Sequence, residues 1–172
     1  MPTAIRPSSC SAVKSGFRIS ELLSLRVGDV WQHGRVVDRV TVQRRHMKRK
    51  VEGRTVLLHP EAKAALATWL STLRQRLEGT PQTFVFHSRQ GGNRPISPVQ
   101  AWRILHEAVT TNELTGKVGT HAMRKTFANR VYHQLNRDLV KTQRAMGHKN
   151  INSTVAYLSF VEDEIDAAIL AS

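Results

Sequence analysis

The residue types in this sequence that are best suited to chemistry lie in its last third. His121 and Arg124 are three residues apart, so they project together from one turn of a helix. An Arg guanidinium is a planar fork of donors that matches phosphate oxygens, and a His imidazole can donate to the same phosphate or move a proton. The pair could therefore bind a phosphate, although this spacing more commonly holds a surface Arg beside a helix-capping His.

Further candidates follow this pair or stand near the start of the chain. Gly147-His148 occupies the point where a second helix should end, and Tyr157 lies nine residues beyond His148. Taken singly, such a His is commonly structural, and a Tyr usually packs in a core or an interface. Arg18 follows Gly16 at the start of a helix, where the positive end of the helix dipole opposes a cation. That conflict favours a functional role for Arg18, such as binding a shared anion.

The positive charge of the chain is concentrated in one stretch. Of 172 residues, 26 are Lys or Arg and 13 are Asp or Glu, and eight of the cations fall between Arg35 and Arg54. The resulting formal net charge of +13 indicates a polyanionic partner, most often nucleic acid. We call residues 44–54 the basic segment. It could be a solvated charge run, or a finger that contacts DNA phosphates and delivers a Lys to the reacting group.

Composition and missing motifs exclude several classes of protein. A hydrophobic content of 40% is ordinary for a globular domain, and the single cysteine, Cys10, excludes an internal disulfide and fits a reducing cytosol. Without a long apolar run or the apolar core of a signal peptide, the sequence predicts a cytoplasmic, DNA-associated protein with no membrane partner. It also lacks metal-ligand spacings, a Gly-rich nucleotide loop and a serine nucleophile elbow, so no metal site is expected.

The elements that must position these residues are mostly helices, and residues 1–14 are predicted to be a leader. Apolar periodicity predicts helices over 18–26 (ended by Gly28-Asp29), 60–78, 98–111 (capped by Ser97), 121–135, 138–146, 152–158 and 161–170. The sequence favours strands around Val36, Val37, Val40 and Val42, a hairpin tip over 44–53, a returning strand over 54–58 and a short strand over 83–86. It therefore predicts one α+β domain over 15–172, mainly α-helical with a small antiparallel β-sheet or hairpin.

Taken together, these residues resemble a known family. The matching parts are Gly16-Phe17-Arg18-Ile19-Ser20-Glu21-Leu22, the basic segment, His121-x-x-Arg124-Lys125-Thr126-Phe127-Ala128, Gly147-His148 and Tyr157. Each part is weak alone, but in this order and spacing the set resembles the tyrosine recombinase (phage integrase) family from about Ser15 to the end of the chain. The resemblance implies the catalytic-domain fold of that family and, as its activity, site-specific DNA recombination or integration by strand cleavage and rejoining.

Family roles can be carried onto the matching positions. The resemblance implies that Arg18 and Arg124 hold the non-bridging oxygens of the scissile phosphate and stabilise its pentacoordinate transition state. Tyr157 would be the nucleophile that forms a covalent 3′-phosphotyrosine and frees a 5′-hydroxyl. His121 would assist proton transfer at the Tyr hydroxyl, and His148 would hydrogen-bond the phosphate. The resemblance implies neither a metal nor ATP, because the arginines supply the positive charge and the phosphotyrosine conserves the bond energy.

The basic segment supplies the remaining roles that the resemblance implies. Lys48 would protonate the leaving 5′-oxygen, with Lys50 as the alternative, because the spacing to Arg54 does not decide between them. Contacts with double-stranded DNA are expected from Arg44, Arg45, Arg49, Lys50, Arg54 and Lys125, the last of which stands where many relatives have His. The family usually works as a tetramer on two DNA sites, and the amphipathic residues 161–170 could dock on a neighbouring subunit or on their own core.

The start of the chain leaves alternatives open. Family members carry an N-terminal DNA-clamping domain and one or two helices before the first Arg, whereas only 17 residues precede Arg18 here. The chain could be an isolated catalytic domain, a natural short form or a gene remnant. The alternatives to recombination are a DNA-binding but catalytically inactive truncated recombinase or regulator, and an enzyme like a type IB topoisomerase, which relaxes supercoiled DNA without site preference.

Overall fold

A computed structural model describes residues 15–42, 54–76, 80–88, 92–111, 119–158 and 169–171 of the chain. The chain forms two compact units, Met1–Phe127 and Ala128–Ser172. The described part of the first unit contains α1 (Ile19–Leu23), α2 (Val27–Val30), β1 (Trp31–Gln32), β2 (Arg35–Val36), β3 (Arg39–Val42), β4 (Arg54–Leu57), α3 (Pro60–Arg76) and α4 (Pro98–Thr111). Helix α5 (Thr120–Gln134) begins in the first unit and ends in the second, which also contains α6 (Leu139–Met146) and α7 (Asn152–Val155).

The first strand pair of the described chain is a tight hairpin. β1 and β2 are antiparallel, with Gln32 opposite Arg35. The two residues between them, His33 and Gly34, have φ values of 50° and 77°. Positive φ at both central positions is typical of a type I′ turn, whose twist matches that of the flanking strands. The predicted mixture of helices with small antiparallel strands is confirmed.

The second strand pair, β3 and β4, forms the base of the basic segment. The strands are antiparallel, with Val42 opposite Arg54 and Val40 opposite Val56. Burial alternates along both strands, so these four side chains face the interior while Thr41 is exposed. The strands predicted around Val40 and after residue 53 are therefore confirmed, but one inward position carries a charged Arg.

The core of the first unit is built on one face of α3. Leu66, Leu70 and Leu73 are buried there, as their helical spacing predicts. Trp69, next to this row, is half-buried, and its indole N–H donates to the Val85 carbonyl oxygen at 2.8 Å. A buried indole needs such an acceptor, so this bond ties α3 to the segment before α4.

Local capping sets the ends of α4 and α6. The Gln100 N–H donates to Ser97 Oγ at 3.1 Å, so α4 begins at the predicted cap. The Lys141 N–H donates to Asp138 Oδ1 at 2.8 Å at the start of α6. Helix α6 ends at Met146, and the residue that caps it, Gly147, has a φ of 62° and a ψ of 39°, the left-handed conformation expected there.

Three boundaries predicted from the sequence are wrong. The helix expected over 18–26 is two helices, α1 and α2, and Gly28-Asp29, expected to end it, lies within α2. The physical reason is that Asp29 Oδ2 accepts the Arg26 N–H at 2.8 Å, so Asp29 caps a helix start. Residues 83–86 contribute an isolated bridge between Arg26 and Phe84 rather than a strand. The helix expected over 152–158 is the shorter α7.

Some expected elements lie outside the described residues. These are the leader over 1–14, the hairpin tip over 44–53 and most of the last helix, of which Ile169 and Leu170 are described as helical and exposed. In the described ranges, no helix is both long enough and apolar enough to cross a membrane.

Candidate functional site

Arg18 lies in a group of charged side chains in the first unit. It is the N-cap of α1, and its N–H donates to Glu21 Oε2 at 2.8 Å. Its guanidinium Nη1 donates to Glu21 Oε1, also at 2.8 Å. The Glu21 side chain is 2% exposed, whereas that of Arg18 is 35% exposed. The carboxylate in the first turn thus offsets the unfavourable position of a cation at a helix N-terminus.

Arg54 reaches the same carboxylate from β4. Its Nη1 lies 3.3 Å from Glu21 Oε2 and 3.4 Å from the Gly16 carbonyl oxygen. Arg54 is 9% exposed, because its place in the strand directs it to the inner face. These surroundings differ from the surface contact with DNA phosphates that the sequence suggested for Arg54, since its guanidinium binds groups inside the protein.

Arg124 approaches the same glycine from α5. It is 2% exposed, and its Nη1 donates to the Gly16 carbonyl oxygen. Gly16 has a φ of +62°, and a Cβ at this position would lie 2.4 Å from Phe127 Cε1. Glycine suits both the left-handed backbone and the close approach of the ring. We call Gly16, Arg18, Glu21, Arg54 and Arg124 the arginine cluster.

The charges of the arginine cluster shift two of its pKa values. Burial by itself would raise the pKa of Glu21, but the hydrogen bonds from Arg18 and the charges of Arg54 and Arg18 outweigh burial and lower it below its usual value. Burial lowers the pKa of Arg54; the attraction of Glu21 opposes this shift and the repulsion of Arg18 adds to it. Because the cluster contains three guanidiniums and one carboxylate, which pairs with Arg18 and Arg54, it has an excess of positive charge that suits a phosphate ligand.

The remaining predicted site residues of the first unit are exposed or undescribed. His121 lies near the start of α5, one turn before Arg124, and both His121 and Lys125 are exposed. Five cations of the basic segment lie outside the described residues, namely Arg44, Arg45, Lys48, Arg49 and Lys50. The described part of the first unit therefore brings together Arg18 and Arg124 but leaves the choice between Lys48 and Lys50 open.

In the second unit the structure brings His148 and Tyr157 together. Their ring centroids are 5.5 Å apart, and the ring planes are inclined by 35°. His148 follows Gly147 in a Schellman motif, in which the His148 N–H donates to the Gln143 carbonyl oxygen at 3.1 Å and the Gly147 N–H to that of Arg144 at 3.0 Å. The motif fixes the backbone of His148 directly after α6.

Polar side chains that the sequence did not single out hold this pair. His148 Nδ1 lies 2.9 Å from Thr154 Oγ1, and both residues are buried. Asn129 Nδ2 donates to the Tyr157 carbonyl oxygen at 3.0 Å, across 28 positions of sequence. Gln143 Nε2 donates to the His148 carbonyl oxygen at 3.1 Å. No local pattern marks Asn129, because its acceptor is a main-chain group far along the chain.

Glu21 is the other residue of the site that the sequence left without a role. A signal was present, because an acidic residue three positions after an N-cap is the spacing of a capping box. Its second partner, Arg54, had no such signal, since the two residues are 33 positions apart. Across the described ranges, His, Cys, Asp and Glu side chains nowhere gather in groups of three or more that could hold a metal ion.

Comparison with known proteins finds relatives over most of the chain. The model of the phage integrase family matches residues 5–163. The probable integrase/recombinase YoeC of Bacillus subtilis (strain 168) is 30% identical over 156 residues, which cover 91% of this chain and 77% of YoeC. The tyrosine recombinase XerC of Bacillus licheniformis is 32% identical over 154 residues, which cover 87% of this chain and 47% of XerC.

Solved structures share the fold. The crystal structure of XerA recombinase aligns with a TM-score of 0.72 at 21% identity, covering 93% of this chain and 53% of XerA. XerH site-specific recombinase, bound to palindromic difH substrate in a post-cleavage complex, aligns with a TM-score of 0.70 at 23% identity, covering 98% of this chain and 46% of XerH. The chain has the catalytic-domain fold that the sequence predicts, and it spans about half the length of these XerC, XerA and XerH chains.

Gly16→Ala is expected to destabilise the protein more than Gly34→Ala. Both glycines have positive φ, but a Cβ at Gly34 would meet no described atom within 4 Å, whereas one at Gly16 would meet Phe127. Backbone strain should lower the free energy of unfolding of Gly34→Ala by about 1–2 kcal/mol. Strain and overpacking together should lower that of Gly16→Ala by about 2–5 kcal/mol. Urea unfolding measures both, and equal losses would contradict the packing argument.

Glu21→Gln is expected to reduce both stability and its dependence on pH. The pKa of Glu21 is lowered in the folded protein, so its contribution is present above the unfolded pKa of about 4.3 and is lost as pH falls through the folded pKa. At neutral pH, leaving Arg54 without the carboxylate charge should cost about 3–5 kcal/mol of unfolding free energy. Below pH of about 4, the stability of wild type should fall towards that of the variant.

Urea unfolding between neutral and acidic pH measures this difference. Asp38→Asn is the matched control, because Asp38 pairs with Lys63 at an exposed site and its pKa is also lowered by that partner. Salt at about 0.5 M should screen the Asp38 contribution and leave most of the Glu21 contribution in place. If the unfolding free energy of Glu21→Gln depended on pH as that of wild type does, the proposed contribution of Glu21 to stability would be refuted.

Proposed function

We propose that this chain, which belongs to the phage integrase family, cuts and rejoins DNA strands in site-specific recombination or integration. The observation that carries this proposal is the arginine cluster, in which Arg18 and Arg124 share their partners Glu21 and Gly16 with a third guanidinium. A phosphodiester is the anion in DNA that such a cluster would bind. Residues 15–172 would form the catalytic domain of the recombinase.

In the proposed reaction, the arginines act on the scissile phosphate. Arg18 and Arg124 would donate to its non-bridging oxygens and stabilise the negative charge of the pentacoordinate transition state. The Tyr157 hydroxyl oxygen would attack phosphorus while the bond to the 5′-oxygen breaks. The product would be a 3′-phosphotyrosine and a DNA end with a free 5′-hydroxyl, and attack by another 5′-hydroxyl would reverse these steps.

Two side chains transfer protons in the proposed reaction, and a third hydrogen-bonds the phosphate. His121 would take the proton that Tyr157 loses, and Lys48 would give a proton to the leaving 5′-oxygen, with Lys50 as its alternative. His148 would donate to the phosphate through Nε2. This role requires that the Thr154 hydroxyl, which lies 2.9 Å from Nδ1, donate to that nitrogen, so that the imidazole proton is on Nε2.

Double-stranded DNA is the proposed partner. The formal net charge of +13 supports it, as do related recombinases such as XerH, whose structures contain a difH DNA substrate. Arg44, Arg45, Arg49, Lys50 and Lys125 would contact backbone phosphates. We further propose a tetramer on two DNA sites, with residues 161–170 docked on a neighbouring subunit, acting on DNA in the cytoplasm.

Tyr157→Phe is expected to abolish covalent attachment to DNA and to leave DNA affinity within about twofold of wild type, because phenylalanine keeps the ring but lacks the nucleophilic oxygen. Nicked suicide duplexes with sequence from the DNA flanking this gene would trap the cleaved state, and denaturing gels would display the adduct. Tyr132→Phe is the matched control, since Tyr132 is the other tyrosine of the chain and should be dispensable. An adduct that survives in Tyr157→Phe would refute the assignment. DNA binding by wild type without any adduct would indicate a non-catalytic DNA-binding protein.

Lys125→Gln is expected to weaken the dependence of DNA binding on salt. If Lys125 neutralises one phosphate, its loss should reduce the slope of log affinity against log salt concentration by about 1. Fluorescence anisotropy of a labelled duplex across a salt series measures the slope. Lys63→Gln serves as the control, because Lys63 pairs with Asp38 and is assigned no contact with DNA. An unchanged slope in Lys125→Gln would remove Lys125 from the interface.

A further inference from the structure

We infer that Arg54 is a positioning residue that sets both phosphate-binding arginines, an inference that rests on the proposed function. In the first unit, Arg54 contacts one partner of Arg18 and one partner of Arg124. Its Nη1 approaches Glu21 Oε2 at 3.3 Å and the Gly16 carbonyl oxygen at 3.4 Å. Glu21 is the partner of Arg18, and Gly16 is the partner of Arg124. Arg54 therefore shares one acceptor with each.

The first effect of this arrangement is on Arg18. A carboxylate can accept two parallel hydrogen bonds from one guanidinium, which would direct the donors of Arg18 away from a phosphate. Here Glu21 Oε2 is engaged by the Arg18 main-chain N–H and by Arg54, and the Arg18 guanidinium contacts Oε1 through Nη1. A guanidinium has five N–H donors, so this single contact holds Arg18 in place and leaves donors for an anion.

The second effect is on Arg124. Its acceptor is the carbonyl of Gly16, a residue held at φ +62° against Phe127. Arg54 donates to the same oxygen from β4, so the acceptor of Arg124 is tied to the strand pair as well as to α5. The removal of Arg54 would free one side of this carbonyl and allow the Arg124 guanidinium to shift.

The contacts of Arg54 favour a role in orientation over direct binding of DNA, because its Nη1 meets a partner of each of the other two arginines. Burial does not separate Arg54 from Arg124, since the two are 9% and 2% exposed. Burying a third guanidinium beside Arg18 is unfavourable in itself, and a leucine or valine would fill an inward strand position at lower cost. A charged residue at this position is explained if its contacts with Glu21 and Gly16 hold the other two arginines in the orientation that binds one phosphate.

The test compares Arg54→Met with Arg124→Met and with Arg39→Met, using inorganic phosphate as the probe. Arg39 is an exposed arginine of β3, in the same strand pair, so its variant loses the same charge without touching the cluster. Equilibrium dialysis with labelled phosphate measures binding. Arg124→Met should weaken binding by about tenfold, the loss expected for one charge-assisted contact of about 1.4 kcal/mol. Arg54→Met should weaken binding by a similar factor, because the two phosphate-binding arginines lose their orientation. Arg39→Met should bind as wild type does.

A second readout separates positioning from a general effect on the fold. Suicide duplexes would carry at the cleavage site either the ordinary phosphate or a neutral methylphosphonate, which needs less positive charge around it. Arg54→Met should cleave the phosphate up to about 100-fold more slowly than wild type, since small displacements of catalytic groups have effects of this size. On the methylphosphonate duplex, the cleavage rate of Arg54→Met should be closer to that of wild type. A purely structural role would slow both substrates equally.

Each outcome decides the inference. Phosphate binding by Arg54→Met equal to that of wild type, while Arg124→Met loses it, would overturn the inference, as would equal slowing on the two duplexes. If Arg54→Met does not fold, Arg54→Lys replaces it, because lysine keeps a charge beside Glu21 and lacks the planar fork of donors. If wild type forms no covalent adduct, the proposed function fails, and the phosphate measurements still decide whether Arg54 sets the two arginines.

Discussion

The pairing of one buried carboxylate organises the first unit. Glu21 is 2% exposed, and a buried charge without partners would destabilise the fold by several kcal/mol. Its partners come from the start of α1 and from β4, and Arg54 in turn shares the Gly16 carbonyl with Arg124 of α5. Satisfying this carboxylate therefore places α1, the strand pair and the first part of α5 at once. Hydrophobic packing around α3 supports that arrangement without determining the positions of the three guanidiniums.

This constraint explains which parts of the site could be predicted from the sequence. Arg18 and Arg124 were identified because each lies in a short motif of distinctive residue types. Arg54 was expected to contact DNA because it belongs to the basic segment, and the alternation along β4 puts it on the same inward face as Val56. Strand periodicity therefore indicates the burial of Arg54, which charge clustering does not. The partner of Arg54 was beyond sequence reasoning, because Glu21 is 33 positions away and their contact depends on how the unit folds.

In the second unit, neighbouring residues in the sequence determine more of the site than distant contacts do. The end of α6 was predicted because a glycine needs only its own neighbours to form a Schellman motif. That motif fixes His148, and the buried hydroxyl of Thr154, six positions on, fixes its ring. The contact between Asn129 and the Tyr157 carbonyl is long-range, and no periodicity in the sequence predicts it. The same limit accounts for Gly28-Asp29, where a cap made with Arg26 turned an expected helix end into a helix start.

The positive charge of the arginine cluster is only partly neutralised, and the excess positive charge has a role in the proposed reaction. Two of the cluster's three guanidiniums pair with the Glu21 carboxylate and the third donates to the Gly16 carbonyl oxygen, and two of the three are almost wholly buried. Repulsion among them lowers the stability of the free protein, and a bound anion relieves that repulsion and stabilises the fold. A second carboxylate in the cluster would stabilise the free protein further, but it would compete with phosphate for the same donors. Glu21 therefore pairs with Arg18 and Arg54 without neutralising the three guanidiniums of the cluster.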